Sequence, residues 1–222
     1  MNEEKTVIPE EYAGLPRLNE AAPQFTALTT HGSKSLSDYK GRWVVLFSHP
    51  ADFTPVCTTE FIAFARKFDE FNELECDVIG LSIDSVYSHI AWVRNIEDNF
   101  KVKIPFPVIA DLDMKVAKKY GMIHPGAADT SAVRAVFVID PSQTLRAMIY
   151  YPLTNGRSID EILRLVRALQ TSDETGVATP ENWQRGEKVI VPPPVTQEDA
   201  EKRMKSEYEV TDWYFSKKEA EE

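Results

Sequence analysis

In the stretch FSHPADFTPVCTTEF, Cys57 follows a threonine by three positions and a proline by two, where an apolar run gives way to helical spacing. A thiol in that place has the makings of a nucleophile. With Thr54 as N-cap and Pro55 as the first helical residue, Cys57 falls third in the helix, beside unpaired backbone N–H groups and the positive end of the helix dipole. Both features favour thiolate over thiol. A free cysteine titrates near ~8.5, and lowering that by about two units corresponds to about 3 kcal/mol, within reach of a helix terminus plus one cation. Arg134 is the candidate cation. It stands in SAVRAVFVID among apolar residues, so its guanidinium belongs near the core, where an unpaired charge costs several kcal/mol. Its anion is either the Cys57 thiolate or one of the chain's many carboxylates, and the residues alone leave both open.

The neighbours of the cysteine have bland and chemical roles that are compatible. Thr54 can cap the helix, and its hydroxyl could also donate to sulfur and accept from a substrate O–H. Pro50 stiffens the loop and removes one N–H. His49 could be a base, a substrate contact or a structural histidine. A metal site built from His49, Cys57 and His89 lacks both the spacing and the ligand number. The second thiol, Cys76 in LECDVIGLSID, opens a strand-like run and reads as a buried small hydrophobe. Two cysteines nineteen positions apart fit neither a secreted disulfide framework nor a zinc site with paired ligands.

The elements that must position these residues alternate. PQFTALTT and RWVVLFS are strand-like, the second a near-continuous apolar run of the kind buried on both faces of a sheet, with polar turn material (HGSKSLSDYKG) between them. From Pro55 to Phe71 the spacing of Phe61, Phe64, Phe68 and Phe71 predicts one helix with an aromatic, core-facing side. CDVIGLSID and FPVIAD are further strands, separated by a helix over 85–99 and followed by the helical LDMKVAKKYG. SAVRAVFVID, the turn PSQ and TLRAMIYY form an antiparallel hairpin, and SIDEILRLVRALQ is a helix with Ser158 and Glu161 at capping-box spacing. The order gives an α/β fold with helices on the faces of a sheet.

The expected domain organisation is an acidic leader over 1–14, a catalytic domain over 15–170 and a C-terminal extension over 171–222. Three consecutive prolines, Pro192 to Pro194, favour an extended path. The segment from Thr196 is charged, helical near its start, and carries Tyr208, Trp213, Tyr214 and Phe215; contact with a second subunit would explain those aromatics. The net charge of −10 over 222 residues argues against a phosphate-backbone partner, so nucleic acid is excluded. No apolar stretch has the length of a signal peptide or of a membrane span, so the expectation is a soluble cytoplasmic protein without membrane attachment.

With these residues in place the chain resembles the peroxiredoxins. PADFTPVC carries the family pattern Pro-x-x-x-Thr-x-x-Cys as Pro50, Thr54 and Cys57, and Arg134 lies on the strand where the family has its arginine. The resemblance runs from about Leu15 to Pro194 and implies a thioredoxin-like fold with a central mixed sheet. FSHPADFTPVCTTEF, YYPLTNGRSIDEILRLVRALQ and VATPENWQRGEKVIVPPP are similar to the one-cysteine subfamily with a long C-terminal extension, of archaeal type. In two-cysteine members a resolving cysteine sits in a Val-Cys-Pro context near that end; VIVPPP has none, so the usual intersubunit disulfide cannot form. Arg157, after the NG turn, matches a second arginine of the subfamily, the alternative being a surface residue. The stretch YKGRWVV lacks the serine of the phospholipase-associated pattern of some relatives, and lipid hydrolysis is not transferred.

The resemblance implies a thiol-dependent peroxidase that reduces hydrogen peroxide and small organic hydroperoxides through a sulfenic acid on Cys57. Arg134, Thr54, His49 and Arg157 would contact or arrange the substrate. It further implies no metal, haem or flavin cofactor, an external thiol reductant, and a homodimer that can extend to a decamer. The competing expectation is an oligomeric holdase chaperone or redox sensor switched by oxidation of the same cysteine.

Overall fold

The computed structural model describes residues 14–127 and 130–220. Apart from Gly14, the acidic leader lies outside the described residues. The chain divides into two compact units, one ending at Ile159 and the other beginning at Asp160.

The first unit is built on a seven-stranded mixed sheet in the order β2-β1-β5-β4-β3-β6-β7. Its strands are β1 (Thr26–Thr29), β2 (Gly32–Ser35), β3 (Trp43–Ser48), β4 (Cys76–Ser82), β5 (Val108–Ala110), β6 (Arg134–Ile139) and β7 (Leu145–Tyr151). β3, β4 and β5 run parallel, and β6 pairs antiparallel with β3 and β7. β3 and β6 are buried along their whole length, as expected for apolar runs at the centre of a covered sheet. The helices α1 (Pro55–Arg66), α2 (Phe68–Glu73), α3 (Val86–Phe100) and α4 (Lys115–Lys119) connect these strands. Gly80 in β4 is needed for close packing: a Cβ there would lie 3.2 Å from the Phe61 ring of α1 and 3.3 Å from Phe47 of β3.

Three sequence expectations change. The polar segment between the first two apolar runs contains a strand, β2, which pairs with β1, followed by a 3-10 turn at Leu36–Tyr39. Its polar residues are tolerated because β2 is the sheet edge, with no neighbour on its other side among the described residues. The single helix expected over 55–71 is two, broken at Lys67, where φ −99 and ψ 5 leave the helical region. The break keeps the aromatic spacing functional: Phe61, Phe64 and Phe71 are all fully buried. The charged tail forms more than a helix. After α6 (Gln197–Arg203), whose Thr196 caps it by accepting from the Asp199 N–H, β9 (Glu209–Asp212) and β10 (Phe215–Lys218) make a hairpin that pairs with β8 (Val189–Ile190).

The second unit also holds α5 (Ile159–Thr175) from its second residue onward. Its small core gathers Ala168, Val177, Trp183 and Val189, and the buried Trp183 indole donates to the Glu187 carbonyl at 3.0 Å. Among the described residues, no helix is long and apolar enough to cross a membrane.

Candidate active site

The register of the sheet brings the chemistry together. β3 and β6 are antiparallel, with Phe47 opposite Val136, so Arg134 at the start of β6 lies level with the loop that leaves the end of β3. That loop, residues 49–54, leads into α1. Thr54 occupies the N-cap with extended φ and ψ, Pro55 opens the helix, and Cys57 is its third residue, as the sequence requires.

Arg134 Nη1 donates to Cys57 Sγ at 3.4 Å and to Glu60 Oε2 at 2.7 Å, and its Nε donates to the Leu153 carbonyl at 2.9 Å. The two anions that the sequence left as alternatives are therefore both present on one nitrogen. Glu60 lies one turn after Cys57 on α1, so a carboxylate and a thiol share one helix face. Arg157 grips the same carboxylate through Nε and its backbone N–H, both 2.8 Å from Oε1, and through Nη2, 2.7 Å from Oε2. Its Nη1 donates to the carbonyls of Ser48 and Ala135 at 2.8 and 2.9 Å. Arg157 is thus a buried structural clamp and not a surface residue, with its guanidinium over the Phe47 ring.

Burial pushes the Glu60 carboxyl up, but the hydrogen bonds and charge of Arg157, with Arg134 behind them, outweigh it and hold Glu60 below the usual carboxylate range. An ionised Glu60 between two guanidiniums leaves one net positive charge facing the sulfur. Fork geometry makes arginine suited to this double role.

Thr54 departs from expectation. Its hydroxyl makes no cap bond and does not donate to sulfur; it donates to the Ala51 carbonyl at 2.9 Å. The bond fixes the hydroxyl's orientation and leaves the oxygen's lone pairs for a donor from outside. Pro50 and Thr54 are half-buried, while Phe53 between them is exposed and takes φ 54, a left-handed conformation that costs on the order of 1 kcal/mol for a bulky residue. Cys57 itself is fully buried.

His49 is fully buried and joins a second cluster. Its Nε2 donates to Asp52 Oδ1 at 2.9 Å, and His89 Nδ1 lies 2.8 Å from Asp52 Oδ2. No hydrogen bond links His49 to Cys57 among the described residues. Burial pushes the His49 imidazole down, against the pull of Asp52. His49 and His89 do converge, on a carboxylate and without Cys57; nitrogen-to-oxygen separations of 2.8 and 2.9 Å are those of hydrogen bonds. Cys76, at the first position of β4, is buried as expected, and burial together with the charge of Asp77 pushes its thiol up. A thiol so placed stays protonated and inert.

Sequence reasoning missed Glu60, Ser48 and Asp52, and weighed His89 only as a metal ligand beside His49 and Cys57. Ser48 ends β3, donates to the Val133 carbonyl at 2.5 Å and accepts from the Ala135 N–H at 3.1 Å, tying the two strands where the arginine emerges. The legible signal was Glu60: an acid at the helical repeat from Cys57, beside the buried Phe61, cannot be core without a cation.

The chain matches the AhpC/TSA family over residues 18–148 and the C-terminal domain of 1-Cys peroxiredoxin over 168–207. It is 59% identical to a peroxiredoxin of Aquifex aeolicus over 219 residues, covering 94% of this chain and 99% of that one. With a peroxiredoxin of Methanosarcina mazei the identity is 54%, over 90% and 96% of the two chains. Among solved structures it is similar to yeast mitochondrial 1-Cys peroxiredoxin, with a TM-score of 0.82 at 40% identity, covering 92% of this chain and 100% of that one. Peroxiredoxin 6 of Arenicola marina superposes with a TM-score of 0.83 at 34% identity, over 93% and 99%. A thiol held against an arginine at the start of α1, on a thioredoxin-like mixed sheet shared with these proteins, places the chain in the peroxiredoxin family of thiol-dependent peroxidases.

Proposed function

We propose that Cys57 reduces hydrogen peroxide and small organic hydroperoxides through a sulfenic acid, which an external thiol then returns to the thiol. The observation that carries this reading is Arg134 Nη1 at 3.4 Å from Cys57 Sγ, inside a network that leaves one uncompensated guanidinium charge. The thiolate attacks the nearer peroxide oxygen, an S–O bond forms as the O–O bond breaks, and the departing oxygen takes a proton to leave as water or alcohol. Sulfur loses two electrons to the peroxide. Arg134 stabilises charge first on sulfur and then on the departing oxygen, while Thr54 accepts the peroxide O–H with the lone pairs its bond to Ala51 leaves free. Pro50 and His49 shape the loop at the mouth of the site, and Arg157 acts on the substrate through Glu60 and Arg134.

One external thiol condenses with the sulfenic acid to a mixed disulfide and water, and a second releases Cys57. The yeast relative is described with a thiol-resolving mechanism through glutathione and thioredoxin systems, and those reductants are the first to try here. Mass spectrometry after one equivalent of hydrogen peroxide tests the chemistry. One added oxygen on Cys57, trapped by dimedone, is the expected result; oxidation first at Cys76 would refute it.

Arg134→Ala should slow the reaction with peroxide about a hundredfold and reduce the thiolate absorbance at neutral pH, with Arg134→Lys falling between, since lysine lacks the fork that serves two anions. An unchanged ultraviolet thiolate signal would remove the arginine from the mechanism. Because Cys57 has no exposed surface, reactivity should drop steeply with oxidant size. Stopped-flow rates are expected in the order hydrogen peroxide, tert-butyl hydroperoxide, cumene hydroperoxide, and equal rates would contradict a gated site.

Self-association belongs to the same reading. Tyr208, Trp213, Tyr214 and Phe215 on the β9–β10 hairpin remain exposed, which supports a homo-oligomer, with a dimer as the smallest unit. Light scattering of reduced protein tests it, a monomer being the contrary result.

A further inference from the structure

Three buried titratable groups meet where the Pro50–Thr54 loop contacts α3 and β5: His49, Asp52 and His89. Their hydrogen bonds can be assigned by counting protons. The Ile109 carbonyl only accepts, so His89 Nε2, 3.0 Å away, carries a proton. His89 Nδ1 faces Asp52 Oδ2 at 2.8 Å and Oδ1 at 3.1 Å, so a second proton lies between ring and carboxyl. His49 gives its Nε2 proton to Asp52 Oδ1, and its Nδ1 has no partner among the described residues, which fits a neutral ring. The groups facing His89 are Asp52 and His49 from the loop after β3 and the Ile109 carbonyl from β5. Asp84, from the loop after β4, accepts from the Asp52 backbone N–H at 3.1 Å and adds a second carboxylate to the cluster.

We infer that His89 is an imidazolium, protonated on both ring nitrogens, and that its ion pair with Asp52 positions the active-site loop for reaction with peroxide. Although burial pushes Asp52 up, the hydrogen bonds from His49 and His89 prevail and hold it below the usual carboxylate range, consistent with the proton residing on the ring. His89 is a positioning residue: it acts through Asp52 on a loop whose Phe53 is held at φ 54 and whose Ala51 carbonyl orients the Thr54 hydroxyl. A strained loop needs an anchor, and the described hydrogen bonds give Asp52 that place on both side chain and backbone. The positioning half rests on the peroxidase reading; the charge state does not.

Nitrogen-15 NMR of the histidines in the reduced, full-length protein reads the charge state. At neutral pH both His89 nitrogens should carry a proton, whereas His49 should show one protonated and one bare nitrogen. A bare Nδ1 on His89 at neutral pH would place the proton on Asp52 and overturn the ion pair. In Asp52→Asn the counter-charge is gone, and one His89 nitrogen should be bare at neutral pH. In Asp52→Asn and in His89→Gln, the rate with hydrogen peroxide should fall about tenfold or more, because Thr54 is displaced, while alkylation of Cys57 by iodoacetamide, which needs no Thr54, changes less than about twofold. Unchanged peroxide rates overturn the positioning role, and so does a parallel fall in both rates, the mark of a generally disordered α1. If neither variant folds, the wild-type spectrum still decides the charge from which the role follows. A doubly protonated His89 in a protein without peroxidase activity would instead defeat the peroxidase reading and leave the ion pair standing.

Discussion

Cys57→Ser should eliminate peroxide turnover, while Cys76→Ser should retain it. The hydroxyl of serine stays protonated at neutral pH and cannot accept oxygen to give a reducible intermediate, so neither Arg134 nor the helix N-terminus has an anion to stabilise. Around Cys76, burial and the charge of Asp77 outweigh the charge of Arg42 and a backbone hydrogen bond from Val45, so its thiol is pushed up. It sits in β4 opposite Trp43, is buried, and its sulfur lies 3.8 Å from the Asp77 carbonyl. Peroxide consumption with excess dithiothreitol separates the two variants. Turnover by Cys57→Ser above the uncatalysed rate would overturn the assignment of the nucleophile, and loss of activity in Cys76→Ser would mean that the second thiol resolves the first.

Glu60→Ala carries the largest expected cost in stability. Two buried guanidiniums, those of Arg134 and Arg157, lose their shared carboxylate, and breaking a buried ion pair from one side costs about 3–5 kcal/mol. Denaturant unfolding of the two proteins measures the difference, and a midpoint unchanged from wild type would show that the clamp contributes no stability. Glu60→Gln should cost less because it retains an acceptor. The sign of the pH dependence follows from the direction of the shift. Glu60 titrates lower when folded than its ordinary value of 4.5, so its contribution is fully present above that value and is lost as pH falls through the lower, folded one. Wild type should therefore lose stability on acidification below about pH 4.5, and Glu60→Gln should show a shallower acid limb.

Through the same carboxylate, the proposed peroxide chemistry should be coupled to fold stability at this site. Arg134 is held by the Leu153 carbonyl and Glu60 before it ever meets the sulfur. Any change that frees the guanidinium to move weakens both the electrostatic support of the thiolate and the packing of β6 against α1. Arg157 illustrates the point from the other side. The sequence placed it after an Asn-Gly turn, where a surface residue is the alternative, and its five hydrogen bonds to Glu60, Ser48 and Ala135 became visible only with the chain folded.

The reach of local chemistry sets what the sequence by itself determined: Thr54, Pro55 and the phenylalanine spacing specify where α1 begins, and therefore that Cys57 lies on its third residue. The apolar run around Arg134 likewise specifies a buried strand, and the missing Val-Cys-Pro excludes the usual resolving cysteine. Tertiary structure alone decided the partners. Glu60 lies 74 positions from Arg134 and 97 from Arg157, and Asp52 lies 37 from His89. Hydrogen bonds across such separations depend on sheet register and helix packing, which no residue specifies alone. The three-stranded sheet in the charged tail and the closed surface over Cys57 were hidden for the same reason: strand pairing and burial are properties of segments brought together, and propensity within each segment says little about either.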